Sequence, residues 1–153
     1  MPNVYAFRSG RGVKNVDPQQ VGSELERIRA EKGTLLAADV LEAATDEVSP
    51  LHSAFEWEDS AAALQHRLGQ ARRLIVSVRV LNGPIQPPTQ AFISVKTPGK
   101  GREYLPAAEA LNDEQLKARI LDEIRTFVES LERKYSRFSE VAEVLSAMKS
   151  ATG

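Results

Sequence analysis

Arg72-Arg73-Leu74-Ile75-Val76-Ser77-Val78-Arg79-Val80-Leu81-Asn82-Gly83-Pro84 is the stretch on which the fold turns. Just upstream, Leu64, Leu68 and Ala71 fall on one face at helical spacing, and Asp59 or Ser60 can cap that helix. At Leu74 the period drops to two. Leu74, Val76, Val78 and Val80 alternate with Ile75, Ser77, Arg79 and Leu81, which predicts a strand. Asn82-Gly83-Pro84 and Pro87-Pro88 cannot continue a sheet and predict a loop. Ala91-Phe92-Ile93-Ser94-Val95 reads as the returning strand, followed by a flexible Thr97-Pro98-Gly99-Lys100-Gly101. Arg102 to Leu105 adds a third short strand before Pro106. A run of helices followed by a small antiparallel hairpin predicts an α+β fold.

Working toward the N-terminus, Leu51 to Trp57 is a connector anchored by Phe55 and Trp57, whose rings remove much area from water. Before it, Thr34 can cap a short helix carrying Leu36, Val40, Leu41 and Ala44, ended by Ser49-Pro50. The first helix is signalled by Asp17 as N-cap, Pro18 at the first helical position, Gln20 three residues after the cap, and Gly33 as stop. Val21, Leu25 and Ile28 form its apolar stripe. Residues 1–16 read as an extended basic arm or edge strand. Residues 17–153 read as one α+β domain, with helices and hairpin over 17–106 and a helical hairpin over 107–153. In that last part Asn112 caps a long helix bearing Leu116, Ile120, Ile124, Phe127 and Leu131. A break near Tyr135-Ser136 leads to a last helix with Phe138, Val141, Leu145 and Met148. Two such amphipathic helices predict a dimerisation surface if their apolar face is wider than one core can cover.

The 153 residues carry no cysteine, so disulfide and thiolate chemistry are excluded. No apolar run reaches the roughly 18 residues of a membrane span, and the N-terminus lacks a signal-like apolar stretch; a cytoplasmic setting fits. The net charge of −1 conceals segregation. Residues 17–60 hold eleven acids against three bases, a net −8, whereas 61–103 hold seven bases against Glu103 alone, a net +6. From Ser60 to Arg102 there is no carboxylate side chain. Residues 1–16 add Arg8, Arg11 and Lys14 with no acid.

Catalytic signals are poor, and neither a catalytic set, a cofactor nor a metal site is predicted. His52, Glu56, Glu58 and Asp59 lie close in sequence, but a helix cap and solvated acids explain them more cheaply than converging metal ligands. His66 reads as a surface histidine. Ser9-Gly10-Arg11-Gly12 and Gly99-Lys100-Gly101-Arg102 lack the spacing of phosphate-binding fingerprints and read as flexible basic loops.

The acid-free stretch carries the functional expectation. Lysine and arginine side chains supply nucleic-acid affinity by neutralising phosphates and releasing counterions. Three helices followed by a hairpin resemble a winged helix-turn-helix, whose third helix enters a groove while the wing touches backbone. In that picture Arg67 and Gln70 face bases, and Arg72, Arg73, Arg79, Lys96, Lys100 and Arg102 meet phosphates. Arg8, Arg11 and Lys14 form an arm suited to a minor groove. The competing expectation is an interaction or assembly module in which these bases pair with the acidic 17–60 segment, within the fold or across a dimer.

The run from Val21 through Gly33, with Val40, Ser49-Pro50-Leu51-His52, Phe55-Glu56-Trp57 and Gln70-Ala71-Arg72, resembles a family of small proteins encoded in bacteriophages and prophages. The resemblance extends over most of the chain and transfers no assigned chemistry. It implies a bacterial host cell and a setting in replication, recombination or gene regulation. DNA and a second copy of the chain, joined through the C-terminal helices, are the partners expected.

Overall fold

The computed structural model describes residues 2–10, 12–58 and 63–153. The chain divides into two compact units, the first ending at Ala108 and the second running from Glu109 to Gly153. In order, the elements are strand β1 (Tyr5–Phe7), helices α1 (Pro18–Lys32) and α2 (Ala37–Ala44), and a 3-10 turn (His52–Ala54). Helix α3 (Ala63–Ser77) and strands β2 (Val78–Val80), β3 (Thr89–Gln90), β4 (Phe92–Thr97) and β5 (Gly101–Pro106) follow. Helices α4 (Ala107–Asn112), α5 (Glu114–Tyr135) and α6 (Ser139–Thr152) close the chain. The fold is α+β, with small antiparallel sheets and a closing helix pair, as the sequence predicts.

Helix α1 begins where its residues require. Asp17 sits in extended backbone and accepts from the Gln19 N–H at 2.8 Å, Pro18 follows, and Gly33 ends the helix in the left-handed region at φ 80°. Its inward face is Val21, Leu25 and Ile28, all buried. Gln19 also clamps the first strand. Its side chain accepts from the Tyr5 N–H at 2.9 Å and donates to the Asn3 carbonyl at 3.0 Å. Helix α2 differs from expectation at both ends. Leu35 is drawn into an extended bridge, where its carbonyl accepts from the Tyr104 N–H at 2.8 Å. The helix therefore starts after Leu36, with no side-chain cap, rather than at Thr34. It stops at Ala44, before Ser49-Pro50.

The predicted strand from Leu74 is a finding to correct. Helix α3 continues to Ser77, whose hydroxyl bonds back to the Leu74 carbonyl at 2.7 Å. Ala71, Leu74, Ile75 and Val78 stand at i, i+3, i+4 and i+7, and all four are buried. Adjacent Leu74 and Ile75 can both face the core on a helix, whereas on a strand they would point to opposite faces. The alternation from Val76 onward is real only over β2.

Strand pairing also departs from the expected hairpin. β2 lies between β1 and β3 in one antiparallel sheet, with Tyr5 opposite Val80, Phe7 opposite Val78 and Arg79 opposite Gln90. Pro87 and Pro88 offer no N–H to a ladder, so regular pairing with β2 is confined to Thr89 and Gln90. After Ala91 the chain bends, and β4 pairs with β5 instead, from Phe92 opposite Pro106 to Thr97 opposite Gly101. The turn that makes this hairpin possible uses Gly99 and Gly101 at φ 78° and 77°.

Tyr5, Leu35, Leu51, Phe55, Ala91, Phe92 and Tyr104 join the buried faces of α1, α2 and α3 in one core. Each large aliphatic buried there is worth roughly 1.5–3 kcal/mol. In the second unit α5 and α6 form an antiparallel hairpin that buries Val128 and Leu145. Asp113, rather than Asn112, caps α5, accepting from the N–H groups of Gln115 at 2.9 Å and Leu116 at 3.1 Å. Asn112 is instead the last residue of α4, a short helix that no sequence signal marked.

Candidate nucleic-acid interface

The predicted basic residues separate into groups with different surroundings. The first joins the N-terminal segment to α3. The Arg8 N–H donates to the Ser77 carbonyl at 2.9 Å, which fixes the end of β1 beside the last turn of α3. Arg8, Val13, Arg73, Val76 and Ser77 then line one cleft of about 210 Å³. Arg73, Val76 and Ser77 share a helix face at i, i+3 and i+4, and Arg8 approaches from a strand more than sixty residues earlier in the chain. Two arginines lining one cleft suit an anion such as a phosphate, which guanidinium groups hold by charge-assisted hydrogen bonds. Arg79 is half-buried in β2, opposite Ala6 on one side and Gln90 on the other, and so lies on the sheet face away from Tyr5, Phe7 and Val78.

A second group surrounds the hairpin. Lys96 and Arg102 are direct cross-strand partners. Like charges so placed repel each other. Arg102 donates through Nε to the Ser94 hydroxyl at 2.7 Å. Burial holds the Tyr104 hydroxyl above the ordinary tyrosine range, while the nearby positive charges of Arg72 and Arg102 and a bond with Ser94 oppose that shift. Arg72 from α3 and Arg102 from β5 thus flank one phenol. Lys100 is exposed in the turn, Lys14 is exposed after β1, and Arg11 lies outside the described residues.

The two residues predicted to face bases are engaged within the fold. Arg67 donates to the carbonyls of Glu56 at 2.8 Å and Glu58 at 3.1 Å, and its guanidinium lies 5.1 Å over the Trp57 ring. Gln70 accepts from the Glu56 N–H at 3.3 Å. Trp57 in turn stacks on His52 at 4.8 Å and donates to the His52 carbonyl at 3.0 Å, and His52 Nδ1 meets the Ala44 carbonyl at 2.8 Å. His66 Nε2 is 3.4 Å from Glu56. The connector is thereby locked to α3 through Arg67 and Gln70. Sequence reading placed the aromatic anchors there but assigned Arg67 and Gln70 to bases; what it could not show was that the connector's path lays the Glu56 and Glu58 carbonyls alongside the helix. The Asp59 or Ser60 cap expected for α3 falls outside the described residues.

Part of the acidic segment pairs within itself. Arg27 pairs with Glu24 at 2.6 Å and with Glu31, and Lys32 pairs with Glu42 at 2.9 Å. Among the described residues, no carboxylate forms an ion pair with Arg8, Arg73 or Arg79. Among the same residues no three histidine, aspartate or glutamate side chains gather as metal ligands, and no helix is long and apolar enough to cross a membrane. Compared with protein-family models, curated proteins and solved structures, the chain matches none.

Proposed function

We propose that this chain is a non-enzymatic DNA-associated protein of a phage or prophage, acting in the cytoplasm of the bacterial host in replication, recombination or regulation. Arg8, Arg73 and Arg79 engage the phosphate backbone around the cleft, and Arg72, Lys96, Lys100 and Arg102 extend the contact along the hairpin. Arg67 and Gln70 support the connector and take no part in the contact. The observation that carries this reading is the convergence of Arg8 and Arg73 on one cleft, with no carboxylate paired to either among the described residues. A purely protein-binding role has these bases pair with the acidic 17–60 segment within the fold or across a dimer; among the described residues Arg8 and Arg73 make no such pair within the chain.

Fluorescence anisotropy with labelled duplex and single-stranded DNA at low and moderate salt tests it. Wild type is expected to bind with strong salt dependence. Arg8→Glu with Arg73→Glu abolishes binding without loss of helical circular dichroism, and Arg8→Ala with Arg73→Ala lowers the salt slope by about 2. Arg67→Ala lowers stability and leaves that slope unchanged. Equal affinity for wild type and the charge-reversed protein at low salt removes the proposal.

A further inference from the structure

The α5–α6 hairpin is polar on one side and apolar on the other. On the polar side Lys149 lies 3.7 Å from Glu129 and 3.4 Å from Glu132, and Arg125 donates to the Thr152 carbonyl at 3.0 Å. These pairs place the polar flanks of both helices on the same side. At about 3.6 residues per turn, Ile120, Ile124, Phe127 and Leu131 then form a stripe on the opposite side of α5, and Val141, Val144 and Met148 form the matching stripe on α6. Phe127 is 62% exposed, Val144 60%, Met148 43% and Ile124 39%. The two stripes run side by side as one apolar face.

We infer that a second copy of this chain covers that face, giving a two-fold symmetric four-helix bundle. Three features identify the occupant. First, the face leaves on the order of 500 Å² of apolar surface in water, at the upper end of what a monomer tolerates in one patch. A dimer takes about 800 Å² from each partner once a polar rim is added, so the face has the size of half a standard interface. Second, the hairpin by itself seals only Val128 and Leu145, too little core for a unit of this length, and a second layer completes it. Third, the outer edges are complementary under one particular two-fold axis. Lys134 stands at the outer edge of the α5 stripe and Glu140 at the outer edge of the α6 stripe, both exposed and both at the loop end of the hairpin. With the axis parallel to the helices, α5 of one copy lies over α6 of the other, and each Lys134 meets a Glu140 of the second copy. The inference is independent of the nucleic-acid reading, and it would place two basic faces on each particle.

Sedimentation equilibrium of the full chain, without nucleic acid, decides it. Wild type is expected to reach twice its 16.8 kDa mass with rising concentration. Phe127→Glu is expected to weaken self-association about 30-fold or more, as loss of a central interface residue does. Because that side chain is already exposed, circular dichroism and melting should be near wild type at concentrations where both proteins are monomeric. Lys134→Glu and Glu140→Lys each weaken the dimer, and the two together restore it. A wild type that stays at a single chain mass, assembles to another stoichiometry, or keeps its dimer with Phe127→Glu overturns the inference; a double exchange without rescue overturns the assigned axis.

Discussion

Gly22 and Tyr5 show how one missing atom shapes a contact. Gly22 is buried on α1, and a Cβ there would lie under 3.0 Å from the Tyr5 ring, so the ring lies against the helix only because that atom is absent. Alanine ordinarily gains about 1 kcal/mol over glycine inside a helix. At Gly22 the sign reverses: Gly22→Ala is expected to cost about 2–3 kcal/mol in urea denaturation, the scale of overpacking. Gly69→Ala on α3, where a Cβ meets open space, is expected to stabilise by up to ~1 kcal/mol in the same experiment. The Tyr5 hydroxyl, which donates to Glu26, is pushed up to about 12, first by burial and then by that bond and the Glu26 charge. An unfolded tyrosine ionises near pH ~10, so the folded state alone keeps its proton above that value. The contribution is full below about pH 10 and is lost as pH rises toward 12, in the direction that linkage requires. Alkaline unfolding curves of Tyr5→Phe should therefore be flatter over that window, and an unchanged slope would contradict the assignment. Tyr104, raised by burial, and Lys32, raised by its bond to Glu42, contribute to the slope that remains.

Elements differ in how much of their origin is local, and that difference decides what a sequence reader can see. Both ends of α1 are written in residues that act within one turn, Asp17 with Pro18 and Gly33, and both were legible. The start of α5 was legible to one residue only. Asparagine and aspartate are equally good caps, and α4 took Asn112 while Asp113 supplied the acceptor. Asp113→Ala is expected to cost about 1 kcal/mol by thermal or urea unfolding, and Asn112→Ala far less. A reversed order would return the cap to Asn112. Elements set by distant partners were less legible. The end of α3 and the displaced start of α2 depend on which core the side chains enter and on the Tyr104 bridge, and no window of local sequence holds that information. The partners of β2 were hidden for the same reason.

At the scale of the whole molecule, the charge blocks legible in the sequence meet where Arg67, Gln70 and His66 engage Glu56 and Glu58. The acidic segment pairs with its own Arg27 and Lys32. The acid-free stretch, read as a single basic surface, divides into bases that brace the fold and bases that line its exterior. Arg67 belongs to the first kind and Arg73 to the second, where Arg8 of the N-terminal segment joins it. Neither role follows from residue type, because a guanidinium meets a carbonyl or a phosphate with the same donors. What separated them was the path of the connector and the position of β1.

That position also bears on the order in which the protein can assemble during synthesis. Tyr5 finds its strand partner Val80 only after most of the first unit has been translated. Until then β1 would be an unpaired apolar edge, the kind of segment that associates with the wrong chain. Its other contacts come from much nearer: Gln19 satisfies its backbone, Gly22 receives its ring, and Glu26 accepts a hydrogen bond from its hydroxyl. A nascent chain that has completed α1 can therefore dock its own first strand on that helix and hold it ready, and β2 arrives at an edge already in place.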